Sequence, residues 1–121
     1  MTRESTYGLW RRGCTLLEQD HNHQAVLVLE KARAQEPGKA SIREALARAY
    51  YAVGRPDAAR AEFEAALEID PTNDYAHFGL ALCLERTGEL ATARGHAKLA
   101  VVMRPEDENY RRALQRIDPA T

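Results

Sequence analysis

The sequence predicts an all-α fold in which one helix–turn–helix unit occurs three times along the chain. The strongest sign is a spacing of 34 residues that is shared by three of the five prolines: Pro37, Pro71 and Pro105. Two columns of alanine keep the same spacing: Ala25, Ala59 and Ala93, and Ala32, Ala66 and Ala100. Composition agrees, because 21 alanines stand against only 7 glycines and 5 prolines. We therefore place repeats at 6–39, 40–73 and 74–107, with a tail at 108–121, in one domain covering 1–121.

The middle repeat shows most clearly why each unit consists of two helices. Ile42, Leu46 and Tyr50 recur at helical spacing, and Gly54 ends that run. Pro56 suits the first turn of the next helix, where its missing N–H costs nothing. The apolar face of this second helix consists of Ala59, Phe63, Ala66, Leu67 and Ile69. Alanine at the closest contact points lets the paired helices approach each other.

The same pattern, applied to every repeat, predicts seven helices, near 4–19, 22–36, 38–53, 56–69, 72–87, 90–104 and 106–117. Asp70 is the predicted N-cap of the fifth helix. The seventh helix carries an apolar stripe of Tyr110, Ala113, Leu114 and Ile117. Such an amphipathic helix shields the open face of a last repeat from water. We therefore interpret 106–117 as a capping helix.

These spacings resemble the tetratricopeptide repeat, a helix–turn–helix motif. In the second repeat the resemblance rests on Leu46, Ala47, Tyr50, Gly54, Ala59, Phe63, Ala66, Leu67 and Pro71. In the third repeat it rests on Leu80, Ala81, Leu84, Gly88, Ala93, Ala97, Ala100, Val101 and Pro105. The first repeat departs from the motif at Arg12, where a buried leucine is usual, and at Asp20, where a glycine is usual. The resemblance implies a right-handed α–α superhelix that binds other proteins on a concave side lined by the first helix of each repeat.

The charge and hydropathy patterns argue against several classes of function. The chain has 17 basic and 18 acidic residues and a net charge of −1, so it lacks the broad basic field typical of nucleic-acid binding. No apolar run approaches the roughly 20 residues of a membrane span. The start of the sequence has no signal-peptide core. We expect a cytoplasmic protein whose partners include neither nucleic acid nor membrane.

The densest cluster of potential metal ligands is the segment Asp20–His23. Two histidines supply too few ligands for a site, and the segment falls at the turn inside the first repeat, so turn and capping roles are favoured over metal binding. His77 and His96 lie on helices of the third repeat, without partners spaced as in a catalytic triad. We expect no enzymatic activity, no cofactor and no metal ion.

The two cysteines, Cys14 and Cys83, match no zinc or redox spacing. They lie on the first helices of repeats one and three, and the corresponding helix of repeat two separates them. We predict two free thiols, with Cys83 buried as a small core residue and Cys14 facing the concave side.

The predicted concave surface is rich in aromatic and arginine side chains, the residue types that dominate protein-binding hot spots. We predict a protein-binding groove formed by Tyr7, Trp10, Leu17, Arg48, Tyr51, Tyr75, Phe78, Arg86, Arg112 and Arg116. Its apolar end lies in the first repeat, and its basic end lies in the third repeat and the capping helix. The alternative interpretation is that the aromatics only pack helices together, and that Arg48 pairs with Glu44 one helical turn earlier.

Chaperone-binding members of the family hold a terminal carboxylate with a clamp of Lys, Asn and Arg. The positions that would carry this clamp hold Trp10, Cys14, Ala45, Tyr75 and Gly79, and none of these can provide it. We therefore expect a protein or peptide partner other than an Hsp70 or Hsp90 tail, bound by a monomer or weak homodimer. The alternative function is a self-associating structural module.

Overall fold

A computed structural model describes residues 4–120, and over that range it contains seven helices and no strand. The helices are α1 (Thr6–Glu18), α2 (Asn22–Gln35), α3 (Ala40–Ala52), α4 (Pro56–Ile69), α5 (Asp74–Arg86), α6 (Leu90–Met103) and α7 (Glu108–Ile117). The all-α prediction is confirmed. The predicted starts of α1, α3, α5 and α7 are each two residues too early, and before α3, α5 and α7 the chain first completes a turn.

The helices form two layers. Each helix packs against the next one in the chain, and the odd-numbered helices α1, α3, α5 and α7 also contact one another in order. The backbones of the even-numbered helices stay farther apart from each other, and long side chains such as those of Arg33 on α2 and Glu62 on α4 bridge the distance. The odd-numbered helices therefore form the inner layer of the arc, as the repeat pattern predicts.

The core follows the spacing of the repeat. All six members of the two alanine columns have no solvent-exposed area: Ala25, Ala32, Ala59, Ala66, Ala93 and Ala100. The main cluster of buried side chains runs from α2 to α7, with Leu29, Leu46, Phe63 and Leu84 among its largest members. A second, smaller cluster joins α1, α2 and α3. The small columns allow close contact, and the large side chains fill the space beside them.

The turn between the two helices of each repeat uses a left-handed residue. Gly54 and Gly88 have φ angles of 81° and 85°, and Asp20 occupies the same position in the first repeat with a φ angle of 60°. Glycine adopts this conformation without steric cost, and aspartate tolerates it better than most residues. The first repeat also has an exposed Arg12, which bonds Glu4 at 2.7 Å. Arg12 thus forms a polar edge, as expected of a terminal repeat.

Helix caps follow the repeat as well. Ser5, Asn73 and Asp107, spaced at one repeat or a multiple of it, each accept a hydrogen bond from the backbone N–H three residues later. The prediction that Asp70 caps α5 is wrong: Asp70 follows α4, and its carboxylate accepts hydrogen bonds from the backbone and side chain of Thr72. The turn after Pro71 moves the cap three residues along the chain.

Lys39 occupies this capping position at α3, where it makes no side-chain hydrogen bond to the helix. Its φ and ψ of −96° and 112° are already those of an N-cap residue. We expect Lys39→Asp to raise the free energy of unfolding by about 1 kcal/mol, because aspartate accepts from the free N–H groups and favours the helix dipole. Urea unfolding measures this. Lys31→Asp, the same charge change inside α2, should give no such gain.

The predicted capping helix is confirmed. Tyr110, Ala113, Leu114 and Ile117 are all buried on one face of α7. The Tyr110 hydroxyl donates to Asp74 Oδ2 at 2.6 Å and so ties α7 to the start of α5. Among residues 4–120, no helix combines the length and the apolar character needed to cross a bilayer.

Candidate functional site

An open cavity of about 230 Å³ lies on the inner layer. Its walls come from α1, α3 and α5, with Phe63 of α4 beneath them and the turn after α1 at one side. The lining residues are Leu17, Asp20, Asn22, Arg48, Tyr51, Ala52, Phe63, Tyr75, Gly79 and Leu82. Four of the ten predicted groove residues are brought together here: Leu17, Arg48, Tyr51 and Tyr75. Its volume is larger than that of an engineered protein cavity of about 150 Å³ that binds benzene.

Gly79 determines the depth of this cavity. A Cβ atom at position 79 would lie 2.2 Å from Cζ of Phe63, so only glycine lets the ring approach the backbone of α5. The Phe63 ring packs 6.3 Å from the ring of Tyr75, measured between centroids. The helical spacing predicts Phe63 only as a core residue. The missed signal is Gly79, a glycine inside a helix, which often marks a close approach of another group.

Arg48 does not make the ion pair that the spacing suggests. Glu44 Oε2 accepts a hydrogen bond from Asn73 Nδ2 at 3.1 Å, while the Arg48 guanidinium lies 5.6 Å from the ring centroid of Tyr75. The interpretation that Arg48 is used up by Glu44 is therefore wrong. Burial raises the pKa of Tyr75, so its hydroxyl stays protonated at neutral pH beside the guanidinium.

The arginines of the predicted basic end have different partners. Arg86 lies over the ring of Tyr51, 4.9 Å from its centroid. Arg116 donates two hydrogen bonds to the carboxylate of Glu85, at 2.6 and 2.7 Å. Arg112 is well exposed and lies 3.8 Å from Glu108. Two of these three positive charges are thus partly compensated within the chain, and Arg86 retains most of its capacity for a ligand.

The residues of the predicted apolar end lie in two places, because Leu17 lines the cavity described above and Tyr7 and Trp10 line another depression. Tyr7 and Trp10 lie together, with ring centroids 5.9 Å apart, beside a separate depression of about 220 Å³ at the start of α3. Tyr7 is 65% exposed, but Trp10 packs against both core clusters, and its Nε1 is buried without a hydrogen-bond partner in residues 4–120. Trp10 therefore also supports the fold. Phe78 packs against Tyr110, with centroids 4.8 Å apart.

Both cysteines are free, as predicted. Cys83 is 1% exposed, and burial raises its pKa to about 11. Cys14 is half-buried against the main cluster, and burial raises its pKa as well. Both thiols are therefore protonated at neutral pH, which disfavours nucleophilic chemistry.

The two helices of each repeat touch at one pair of equivalent positions, and the residues there differ between repeats. In the first repeat the pair is Leu9 and Val28, which belong to an apolar cluster. In the second repeat Arg43 pairs with the buried Glu62 at 3.0 Å, and Arg33 approaches the other oxygen of Glu62 at 2.7 Å. This network joins α2, α3 and α4, and no spacing in the sequence predicts it.

In the third repeat the same contact is a histidine pair. Nδ1 of His77 and Nδ1 of His96 lie 3.1 Å apart, and Nε2 of His77 lies 3.2 Å from the carbonyl oxygen of Pro71. A carbonyl only accepts, so Nε2 of His77 carries its proton. In the tautomer with its proton on Nε2, the Nδ1 of an imidazole accepts, so it can take the Nδ1–H of His96. His77 is buried in the helix-pair interface, where the sequence placed it.

This pair predicts acid sensitivity. Burial, with the neighbouring His77, holds the pKa of His96 below its ordinary value. The unfolded chain therefore binds a proton that the folded chain resists, and the free energy of unfolding should fall as pH drops below about 6.5. Urea unfolding between pH 7.5 and 5.5 measures the decline. The double variant His77→Leu, His96→Val should flatten it.

Exposed histidines supply the control for that measurement. Replacing His21 and His23 with glutamine should leave the decline unchanged, because both are exposed. If the double variant at the buried pair loses stability with acid as steeply as the parent chain, the pair is not the cause. Asp20 lies in the turn after α1, as predicted for this segment, whereas Asn22 and His23 already belong to the first turn of α2. Within residues 4–120 no three His, Cys, Asp or Glu side chains are grouped so as to hold a metal ion.

Comparison with known families identifies the repeat. The family model described as Tetratricopeptide repeat matches residues 11–74 and 44–108, which together span more than half of the chain. The chain belongs to the tetratricopeptide repeat (TPR) family. A comparison with curated proteins found no match.

Several solved structures share the whole fold, and two of the three named below are TPR domains. The first TPR of Spaghetti (RPAP3), bound to the HSP90 peptide SRMEEVD, has a TM-score of 0.90 at 15% identity, over 99% of this chain and 95% of that one. The Arabidopsis OM64 TPR domain has a TM-score of 0.91 at 17% identity, over 96% of both chains. The Yersinia enterocolitica chaperone SycD, in complex with a peptide of the translocator YopD, has a TM-score of 0.81 at 18% identity, over 98% and 90%. At these identities the likeness concerns the fold.

Proposed function

We propose that this TPR domain is a non-enzymatic interaction module that binds a peptide or helix of a partner protein on its concave side. The observation that carries the proposal is the cavity of about 230 Å³ between α1, α3 and α5. Leu17, Tyr51, Tyr75 and Leu82 give it apolar walls, and Arg48 gives it a charged one. Ligand sites in proteins typically combine apolar walls with a few polar groups that fix orientation.

Structural neighbours that bind peptides support the choice of a peptide ligand. The Spaghetti domain is bound to an HSP90 peptide, and SycD is in complex with a YopD peptide. The ligand of the present chain should differ from a chaperone tail. Buried Ala45 and Gly79 offer no side-chain donor where a carboxylate clamp would need one.

Selection of peptides followed by a blocking variant tests the proposal. Random dodecapeptides displayed on phage are selected on the immobilised chain, and an enriched peptide is synthesised with a fluorophore. We expect Ala52→Trp to weaken its binding about tenfold or more in fluorescence polarisation. Ala52 is exposed at the cavity rim, so the indole should fill the site without disturbing the core.

The matched control is Ala61→Trp, which adds the same ring at an exposed position of α4 outside the cavity. It should bind like the parent chain. Equal affinities for the parent, Ala52→Trp and Ala61→Trp would mean that the selected peptides bind elsewhere. Circular dichroism of the three proteins checks that each is folded.

Self-association is a second candidate, and one specific observation favours it. Among residues 4–120, four of the seven large apolar side chains that are exposed lie on α6: Leu90, Leu99, Val102 and Met103. Leu99, Val102 and Met103 share one face of that helix. Exposed apolar patches of this kind often mark a protein contact.

Sedimentation equilibrium over a range of concentrations tests this second candidate. If the apolar face of α6 joins two copies, the mean mass should rise with concentration. Val102→Glu should then restore the monomer mass without loss of stability, because Val102 is 77% exposed. A monomer mass at every concentration would remove self-association from consideration.

A further inference from the structure

Arg48 differs from the other half-buried arginines of residues 4–120. Arg33 and Arg43 share the carboxylate of Glu62, and Arg60 pairs with two glutamates. No carboxylate among these residues lies within ion-pair distance of Arg48. Its guanidinium is instead placed over Tyr75 at the wall of the cavity.

A partly desolvated guanidinium without a counter-charge favours an anion from outside. Removing a charge from water is costly unless a partner of opposite charge is supplied. Tyr75 satisfies only part of this need, through its ring face and its hydroxyl, since a guanidinium has five N–H groups to donate. Glu44, one turn earlier on α3, accepts a hydrogen bond from Asn73 and forms no ion pair with Arg48.

The apolar surface beside Arg48 defines the rest of the ligand. Leu17, Tyr51 and Leu82 line the same cavity, and Phe63 lies beneath it. Asp20, on the turn after α1, is the one carboxylate in this lining, and it forms no ion pair with Arg48. A bulky apolar side chain fits the cavity, and a carboxylate fits the guanidinium next to it.

We infer that the partner segment carries an Asp or Glu within two residues of a large apolar side chain, with the carboxylate bound by Arg48 and the apolar group in the cavity. This inference rests on the proposed function, because it specifies the ligand of the same groove. Arg48 would then act as the specificity-determining residue. Arginine suits the role, because its planar fork matches a carboxylate with two parallel hydrogen bonds.

A double-mutant cycle tests the inference. The probe is a dodecapeptide enriched by phage selection on the parent chain, synthesised with its acidic residue and again with Glu→Gln or Asp→Asn. We expect the amide peptide to bind the parent chain about tenfold or more weakly, the value of a charge-assisted hydrogen bond. Arg48→Gln should bind both peptides with nearly equal affinity.

Arg55→Gln is the matched control. Arg55 also lies over a tyrosine, 4.6 Å from the ring centroid of Tyr50, but outside the cavity. This variant should discriminate between the two peptides as strongly as the parent chain. Equal discrimination by Arg48→Gln and the parent chain overturns the inference.

The remaining outcomes separate the inference from the proposed function. Peptides that lose affinity with Ala52→Trp but show no enrichment of acidic residues overturn the inference and leave the groove intact. A selection that yields no peptide sensitive to Ala52→Trp overturns both. Acidic enrichment together with loss of discrimination in Arg48→Gln supports both.

Discussion

Glu62→Ala is expected to lower the free energy of unfolding by about 2–3 kcal/mol. Removing one member of a buried ion pair costs about 3–5 kcal/mol, and the cost is reduced here because water reaches both arginines. The side chain of Glu62 is 8% exposed, while those of Arg33 and Arg43 are 31% and 21% exposed. The variant leaves two positive charges close together on α2 and α3 with no counter-charge.

Chemical denaturation in urea measures this effect, and Glu64→Ala provides the control. Glu64 lies on the same helix and forms an exposed pair with Arg60 at 3.4 Å. Such surface pairs contribute little, so Glu64→Ala should change stability by no more than about 0.5 kcal/mol. Similar losses from the two variants would show that the network around Glu62 does not hold the first two repeats together.

Gly79→Ala is expected to destabilise the protein by about 1–3 kcal/mol, against the usual helix preference. Alanine normally stabilises a helix interior by about 1 kcal/mol relative to glycine. At position 79, however, the added Cβ meets three atoms of the Phe63 ring at 2.2 to 2.5 Å. Phe63 is only 2% exposed, so the ring has little room to move.

Gly95→Ala tests the same substitution without the contact. Gly95 lies within α6, and a Cβ there would have no neighbour within 4 Å. This variant should gain about 0.5–1 kcal/mol. Thermal and urea unfolding of the pair should therefore give changes of opposite sign, and changes of the same sign would contradict the packing described for Phe63.

The sequence was sufficient to predict the fold because the repeat imposes the same steric demands three times. Ala66 and its equivalents stand where helices touch, and Gly54 and Gly88 stand where the chain needs a left-handed residue. These demands depend on side-chain size and backbone conformation, which a column of residues reveals directly. The helix starts were less well predicted, because Asp70 and Asn73 are both good capping residues and only the turn geometry selects between them.

The site was only partly predictable, because its side chains choose among several partners. The inner positions were predicted by helical spacing, and Leu17, Tyr51 and Tyr75 do line one cavity. The spacing of Glu44 and Arg48 suggested an ion pair, but Asn73, the N-cap residue of α5, takes the carboxylate instead. Such competition arises between helices, and a pattern within one helix does not record it. The interaction of Arg116 with Glu85 joins α7 to α5 in the same way.

The Arg43–Glu62 and His77–His96 contacts could not be predicted from the repeat pattern. Both pairs occupy equivalent positions, but one is an ion pair and the other a contact between two imidazole rings. A column with unlike residues gives no periodic signal, even where its members touch in every repeat. The 34-residue spacing that reveals the repeats therefore does not predict the contacts in which the repeats differ.

Amide chemical-shift mapping of the uniformly labelled chain with a selected dodecapeptide shows directly whether peptides bind in the concave cavity. Saturating peptide should shift resonances of the inner layer, with the largest changes near Leu17, Tyr51 and Leu82. The outer face of α6, around Leu99 and Val102, should be unaffected. Shifts confined to that outer face, with the inner layer unchanged, would contradict the assignment of the concave cavity as the binding site.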